Sequence, residues 1–253
     1  MIKGFARKYF EGKSCIFCNK YQLYRLKDKR IKCKNCNKYY SLKKLKKDLE
    51  LLYYFYLEIS ARRATNEMKL DYKSVHKKFM QFRKSIAVYC DNEVRKLNGE
   101  LELDESYFGG KRKGNRGRGA NNKTIVFGIL ERKGKIYTKI VENVSAETLL
   151  KEIENKTSKG SVFYTDGWKS YASLHQYGKH NIIRHDKDEF AKEKNHINGI
   201  EGFWSFAKER FHKYHGINKK NYPFYLKEME FRFNHRNESI FNLLFNITIR
   251  RLV

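Results

Sequence analysis

The sequence predicts a mixed α/β core, preceded by a small cysteine-rich module and a short helical segment. Three observations carry that expectation. Four cysteines fall in two Cys-x-x-Cys pairs near the start, no proline or glycine interrupts Ser41 to Leu97, and alternating strand patterns begin after Asn98-Gly99. The expected divisions are residues 1–41, 42–98 and 99–253, because Asn-Gly punctuates structure and the residue pattern changes there.

In the first module, Cys15, Cys18, Cys33 and Cys36 form two pairs with 14 residues between them. Each pair can turn two thiolates toward one ion, and four sulfurs complete a closed tetrahedral shell suited to one structural zinc ion. The alternating stretch Tyr21 to Leu26 fits a zinc ribbon, too small to fold without its metal. Cys90 has no such partner and reads as a core cysteine.

In the second segment, Leu42, Leu45, Leu49, Leu52 and Phe55 mark one apolar helix face. A second helix is expected from Ser60. A third is expected from Asp71 or Ser74, with Val75, Phe79 and Phe82 inward, and Ser60 and Asp71 suit helix caps. Arg62, Arg63, Lys73, Lys77 and Lys78 on such short helices suggest a helix-turn-helix that contacts DNA. A plain bundle with a charged solvated face would show the same spacing.

The chain holds 55 Lys and Arg against 28 Asp and Glu, a formal charge of +27. Residues 1–98 carry 26 basic and 9 acidic residues, so the excess concentrates there. Such a balance points to a polyanionic partner, with nucleic acid the commoner kind. No apolar run approaches the ~20 residues of a membrane span, and Met1 to Phe10 lacks a signal-peptide core. An intracellular protein is therefore expected, with thiols kept reduced.

The third segment supplies the chemistry. Glu100 to Asp104 alternates as a half-buried strand, Thr124 to Leu130 and Lys135 to Val141 follow as strands, and Ala146 to Ile153 reads as a helix. Ser161 to Thr165 is a further strand, ended by Asp166-Gly167. Asp104 and Asp166 would both lie at strand ends, where two close carboxylates call for a cation between them. Their oxygens suit Mg²⁺ or Mn²⁺. A long helix from about Asn198 to His212 carries Asn198, Glu201, Ser205, Lys208 and His212 on one polar stripe. Glu201 and Lys208, seven apart, point within about 20° of each other.

Three segments together become recognisable: Leu103-Asp-Glu-Ser-Tyr-Phe-Gly-Gly-Lys111, Tyr164-Thr-Asp-Gly-Trp-Lys-Ser-Tyr171 and His196-Ile-Asn-Gly-Ile-Glu-Gly-Phe-Trp-Ser-Phe-Ala-Lys208. With the Phe231-Arg-Phe-Asn-His-Arg-Asn237 tail, the chain resembles an insertion-sequence transposase family along nearly its whole length. That branch has an N-terminal zinc ribbon and an Asp-Asp-Asn-Lys or Asp-Asp-Glu-Lys signature. The resemblance implies a ribonuclease H-like core and metal-dependent DNA strand cleavage and transfer. Asp104 and Asp166 would hold two ions, one activating water or a 3′-hydroxyl and the other stabilising the leaving oxygen. Asn198 matches the family's Asn, whereas Glu201, with 34 residues between it and Asp166, fits the Asp-Asp-Glu pattern of related enzymes. An amide brings no charge, which puts Glu201 ahead while both stay open. Lys208 would position a DNA phosphate, and His196 either hydrogen-bonds near the site or is structural.

The partner is then double-stranded DNA, at element ends and target, and joining two ends implies a dimer or larger assembly. Another ribonuclease H-like nuclease, or a non-catalytic regulator derived from a transposase, are the alternatives. The basic loop Gly109 to Gly119, with Lys111, Arg112, Lys113, Arg116 and Arg118, is read as ordering on DNA phosphates. It lacks the Gly-Lys-Ser/Thr ending of a nucleotide phosphate loop. Trp168 is expected in the core, with stacking on an unpaired base as the alternative. Phe231, Phe233, Phe241, Leu243, Leu244 and Phe245 are expected to pack C-terminal helices.

Overall fold

A computed structural model describes residues 11, 14–93, 95–109, 123–183, 196–214 and 216–249. The chain forms two compact units, one from residues 1–89 with 237–253 and the other from residues 90–236. The boundary expected after residue 98 thus lies at the end of a helix, and the last helical residues group with the N-terminal unit.

The first unit begins with a three-stranded antiparallel sheet, β1 (Leu23–Arg25), β2 (Ile31–Cys33) and β3 (Tyr39–Tyr40). Three helices follow: α1 (Leu42–Tyr56), α2 (Ala61–Met68) and α3 (Tyr72–Asp91). Ser41 and Ser60 accept the backbone N–H groups of Lys44 and Arg63, and Asp71 accepts that of Ser74. Each satisfies a donor that the first helical turn would otherwise leave orphaned. Lys69, at φ 50°, ends α2 in the left-handed conformation. Leu45, Leu49, Leu52 and Phe55 are buried as their spacing predicts, and Phe55 meets Phe79 and Phe82 at 5.3 and 5.4 Å between rings. Phe241, in the short helix α7 (Ile240–Leu244), packs edge-on against Tyr53 and Tyr56 of α1. This aromatic contact is why the C-terminal segment belongs with the helical unit.

The second unit is built on β4 (Glu100–Phe108), β5 (Thr124–Glu131), β6 (Ile136–Val141), β7 (Val162–Asp166) and β8 (Lys179–Ile183), in the order β6-β5-β4-β7-β8. Strand β5 runs antiparallel to β4 and to β6, whereas β7 and β8 run parallel to β4. Three antiparallel strands followed by two parallel ones are the arrangement expected of a ribonuclease H-like core. Helix α4 (Ala146–Lys156) and a 3₁₀ segment at Lys169–Gln176 share one apolar cluster with Leu101, Leu103, Phe127, Ile129 and Phe163. Helices α5 (Asn198–Lys213) and α6 (Tyr222–Asn234) share another with Phe108, Val126, Leu130 and Tyr164. Period-two alternation sends successive residues of β4 into opposite layers. Strand β8 was not anticipated from the sequence, and β7 runs one residue further than its pattern suggested, so that Asp166 is its last residue.

Helix α6 buries Lys227, Glu228, Glu230 and Arg232 as well as its apolar residues. Glu230 accepts both the N–H and the hydroxyl of Thr138 on β6, at 2.8 and 2.6 Å, and pairs with Lys227. Glu228 pairs with Arg232 one turn on. Buried charges persist where they are paired and hydrogen-bonded.

Candidate functional site

The register of β4 and β7 creates the site. Glu102 lies beside Tyr164 in the parallel pair. Asp104 and Asp166 each come two residues later, so both fall at the same level and on the same face. That face is the one covered by α5, since Tyr164 packs with Ile200 and Trp204. On the other side of β4, Asp104 pairs with Gly128 of β5.

Gly128 explains how closely α5 approaches. A Cβ there would stand 2.7 Å from Trp204 Cζ2 and 3.1 Å from Ile200 Cδ1. Its missing side chain is the space the indole occupies, and the indole N–H donates to Asp104 Oδ2 at 3.0 Å. Burial pushes the Asp104 carboxyl up to about 6, and the nearby charges of Asp166 and Glu201 add to the rise. The Glu105 backbone and the Trp204 indole act the other way. Asp104 therefore senses both other carboxylates. The oxygens of the three do not close to within 4.8 Å of one another; among the described residues, only the cysteine quartet forms so tight a ligand group.

Asp166 Oδ1 accepts the N–H of Trp168 at 3.1 Å, an aspartate turn that orients the carboxylate as the strand ends. Trp168 itself is 38% exposed, which corrects its expected place in the core. It lies two residues past the strand end, just before the 3₁₀ segment, and belongs to neither apolar cluster of the second unit. Glu201 and Lys208 are exposed on α5, seven residues apart and thus on one face, and Asn198 is exposed at its first position. His196 is partly buried, its Nδ1 3.8 Å from Glu102 Oε1.

Several neighbours escaped the sequence reading. Glu102, on the Asp104 face, is almost wholly buried and accepts the N–H of Ile200 at 2.8 Å and Arg132 Nε at 3.1 Å. Arg132 lies over the Tyr164 ring at 3.7 Å and donates to the His196 carbonyl at 2.5 Å. On the opposite face, Glu105 accepts the buried Tyr171 hydroxyl at 2.5 Å, tying the 3₁₀ segment after Asp166 to the strand that carries Asp104. Burial, then the Glu105 charge, holds that phenol well above its usual range. Only the buried alternation of β4 hinted at these roles.

In the first unit, the four expected cysteines meet. Cys15 and Cys36 are 3.7 Å apart at sulfur, as are Cys18 and Cys33, and all four sulfurs lie within 4.8 Å of one another. Four sulfurs at the Zn–S bond length of about 2.3 Å in a regular tetrahedron would be about 3.8 Å apart. The donor set and its spacing fit zinc. Asn19 and Asn37, each just after a second cysteine, take positive φ of 59° and 56° and turn the chain away from the centre. Cys90 is buried in the second unit, as expected of a core thiol.

Arg62, Arg63, Lys73 and Lys77 are all exposed, near the start of α2 and of α3. The Arg62 guanidinium lies 5.6 Å from the exposed Tyr72 ring, at the head of α3. Lys111, Arg112, Lys113, Arg116 and Arg118 lie outside the described residues. No helix among the described residues is long and apolar enough to cross a membrane.

Comparison with known proteins follows the same lines. The chain is 44% identical over 103 residues to an uncharacterized transposase-like protein of Haemophilus influenzae, covering 40% of this chain and 83% of that one. It is 24% identical over 198 residues to an uncharacterized protein in transposable element ISH50 of Halobacterium salinarum, covering 71% and 66%. Among solved structures it is similar to the catalytic core domain of BIV integrase, at 10% identity and TM-score 0.37 over 56% of this chain and 86% of that one. It is also similar to a chain of the pre-cleavage Mos1 transpososome, at 10% identity and TM-score 0.28 over 73% of each. The family model of the ISXO2-like transposase domain matches residues 96–234, which is most of the second unit and more than half the sequence, and the chain belongs to that family.

Proposed function

We propose that this chain is a DNA transposase that cuts and rejoins DNA strands at Asp104, Asp166 and Glu201. The observation that carries the reading is the register that sets Asp104 level with Asp166, with the Glu201 charge reaching the same carboxyl. Partly exposed carboxylate oxygens fit hard divalent cations, which keep part of their water shell. In this reading the three residues would hold two ions, Mg²⁺ or Mn²⁺. Bound ions would activate water or a 3′-hydroxyl and stabilise the leaving oxygen.

The protein's own groups do the rest. Trp204 holds Asp104 in one orientation, and the Trp168 N–H does the same for Asp166. Glu201 takes the third position ahead of Asn198, because its charge is felt at Asp104 and an amide brings none. Lys208, two turns along the same face, receives a DNA phosphate. The first unit binds element ends: the cysteine quartet holds one structural zinc, and α3 enters the groove behind α2 with Arg62, Arg63, Lys73 and Lys77 on phosphates and bases. Joining two ends takes two copies of the chain or more.

The test uses the purified full chain with DNA carrying the element's own ends, in Mg²⁺ or EDTA, beside Asp166→Asn. Metal-dependent nicking at the ends and strand joining, both lost in the variant, are expected. Ends that are bound yet intact under every metal condition would replace this reading with a non-catalytic DNA-binding regulator.

A further inference from the structure

Helix α5 begins without a cap of its own. The residue before it is Ile197, whose side chain accepts nothing. The first intrahelical bond of the turn is from Glu201 N–H to the Ile197 carbonyl, at 3.2 Å. The N–H groups of Asn198, Gly199 and Ile200 precede it, and helix geometry gives them no partner within the helix. Ile200 N–H is nevertheless satisfied, by Glu102 Oε2 of β4, 98 residues earlier in the chain.

We infer that Glu102 is a positioning residue: it caps α5 from across the sheet and so fixes the turn carrying Asn198 and Glu201 against Asp104. A negative group at a helix N-terminus also meets the positive end of the helix dipole. The carboxylate is anchored in turn, since its other oxygen takes Arg132 Nε while Arg132 rests on Tyr164 and holds the His196 carbonyl. The chain on both sides of Ile197 is thereby pinned to the sheet. Gly199 shows how tight the seat is, because a Cβ there would stand 2.8 Å from Glu102 Oε2 and 2.7 Å from Leu130 Cδ2. Glu102 and Asp104 share one strand face two residues apart, so β4 holds both the carboxylate and the cap that aligns its partner helix. Glu102 touches no reacting atom. It acts through Glu201, and this assignment rests on the transposase reading for its catalytic consequence only.

The experiment compares the full chain with Glu102→Ala and Glu102→Gln in three measurements. These are hydrogen exchange of residues 197–204, binding of Mn²⁺ alone, and cleavage of DNA carrying element ends. In Glu102→Ala, exchange in 197–204 should rise at least about ten-fold while the β5–β6 hairpin keeps its protection. Mn²⁺ affinity should fall about ten-fold, kcat should drop, and the KM for DNA should stay within about two-fold. Glu102→Gln keeps an acceptor for Ile200 N–H and should restore exchange toward the parent value. Unchanged exchange in Glu102→Ala would overturn the inference. So would an equal loss of protection across the whole sheet, or a Gln variant as perturbed as Ala. A parent protein that binds DNA but never cleaves it would sink the transposase reading, while the exchange measurement would still decide the cap.

Discussion

Gly128→Ala isolates the packing that aligns the site. The added methyl would lie 2.7 and 2.9 Å from two atoms of the Trp204 ring and 3.1 Å from Ile200 Cδ1. Carbon atoms rest about 3.5–4.0 Å apart, so the indole must retreat by roughly 1 Å. Because Ile200 and Trp204 sit one turn apart on the same helix, a change of one rotamer does not relieve both contacts, and α5 itself must shift. Overpacking of this kind costs about 1–3 kcal/mol, offset by about 0.4–1 kcal/mol because alanine restricts the unfolded chain. At about 2–4 °C per kcal/mol for a chain of this size, Tm should fall by several degrees, and the protein should stay folded. Function should suffer far more. A 1 Å displacement breaks the 3.0 Å indole bond to Asp104 and carries Glu201 with the helix, and misplacement on that scale costs about 100-fold in rate. Strand transfer of end-labelled DNA, beside a thermal melt, measures both. A variant with lowered Tm and a rate within about two-fold of the parent would refute the proposed link between this close approach and catalysis.

Mn²⁺ binding should depend on pH through Asp104, whose carboxyl sits at about 6. Affinity should hold above that value and fall by about ten-fold per pH unit below it, as the proton competes, with Asp104→Asn abolishing the dependence in a titration. For the metal-free chain the sign reverses: the raised value favours folding at acid pH, and that contribution is lost as pH rises through about 6. Cys18→Ser should lower zinc from one ion per chain to near none by elemental analysis, and should cost residues 14–40 their amide protection while residues 123–183 keep theirs. Lys73→Ala and Lys77→Ala should each weaken DNA binding and reduce the slope of log affinity against log salt by about 1, as expected for a lost phosphate contact. Glu230→Ala should destabilise the second unit by about 3 kcal/mol in urea unfolding, because it leaves the Thr138 N–H buried without its acceptor and Lys227 with the more distant Asp91, at 3.9 Å.

Local signals made much of the architecture legible before any coordinates. Ser60 and Asp71 stand immediately before runs with helical spacing, as Ser41 does, though only the first two were expected as caps. The alternation of β4 announced a half-buried strand, but the strand runs on to Phe108 and leaves Asp104 in its middle, not at its end as expected, because β5 keeps pairing with it as far as Thr124. Two Cys-x-x-Cys pairs need no tertiary knowledge to be read as one centre. What stayed hidden depends on partners distant in sequence. Glu102 looks like the solvent phase of an alternating strand until α5 covers that face and turns it into the buried one. Gly128 looks like a weak point in a strand until Trp204 fills the space above it. The charges of α6 look solvent-facing, yet β6 supplies Thr138 to meet Glu230. Residues 237–249 carry no mark telling whether their phenylalanines will meet the sheet or α1. Strand β8 is short and polar at its start, so its pairing with β7 outweighs its own weak preference.

The two hydrogen bonds that join β4 to α5 also set an order of events during synthesis. Glu102 to Ile200 and Asp104 to Trp204 span 98 and 100 residues. Contacts so remote in sequence form late, since the loop between them must close before they return any free energy. A ribosome-bound chain can therefore build the β4–β5–β6 meander early while its carboxylates remain apart. Premature termination between Ile183 and Trp204 yields a product with all five strands of the sheet and both aspartates but no assembled site. Such a product also lacks Phe241, so the first unit loses its aromatic contact with Tyr53 and Tyr56, and one truncation leaves both units incomplete.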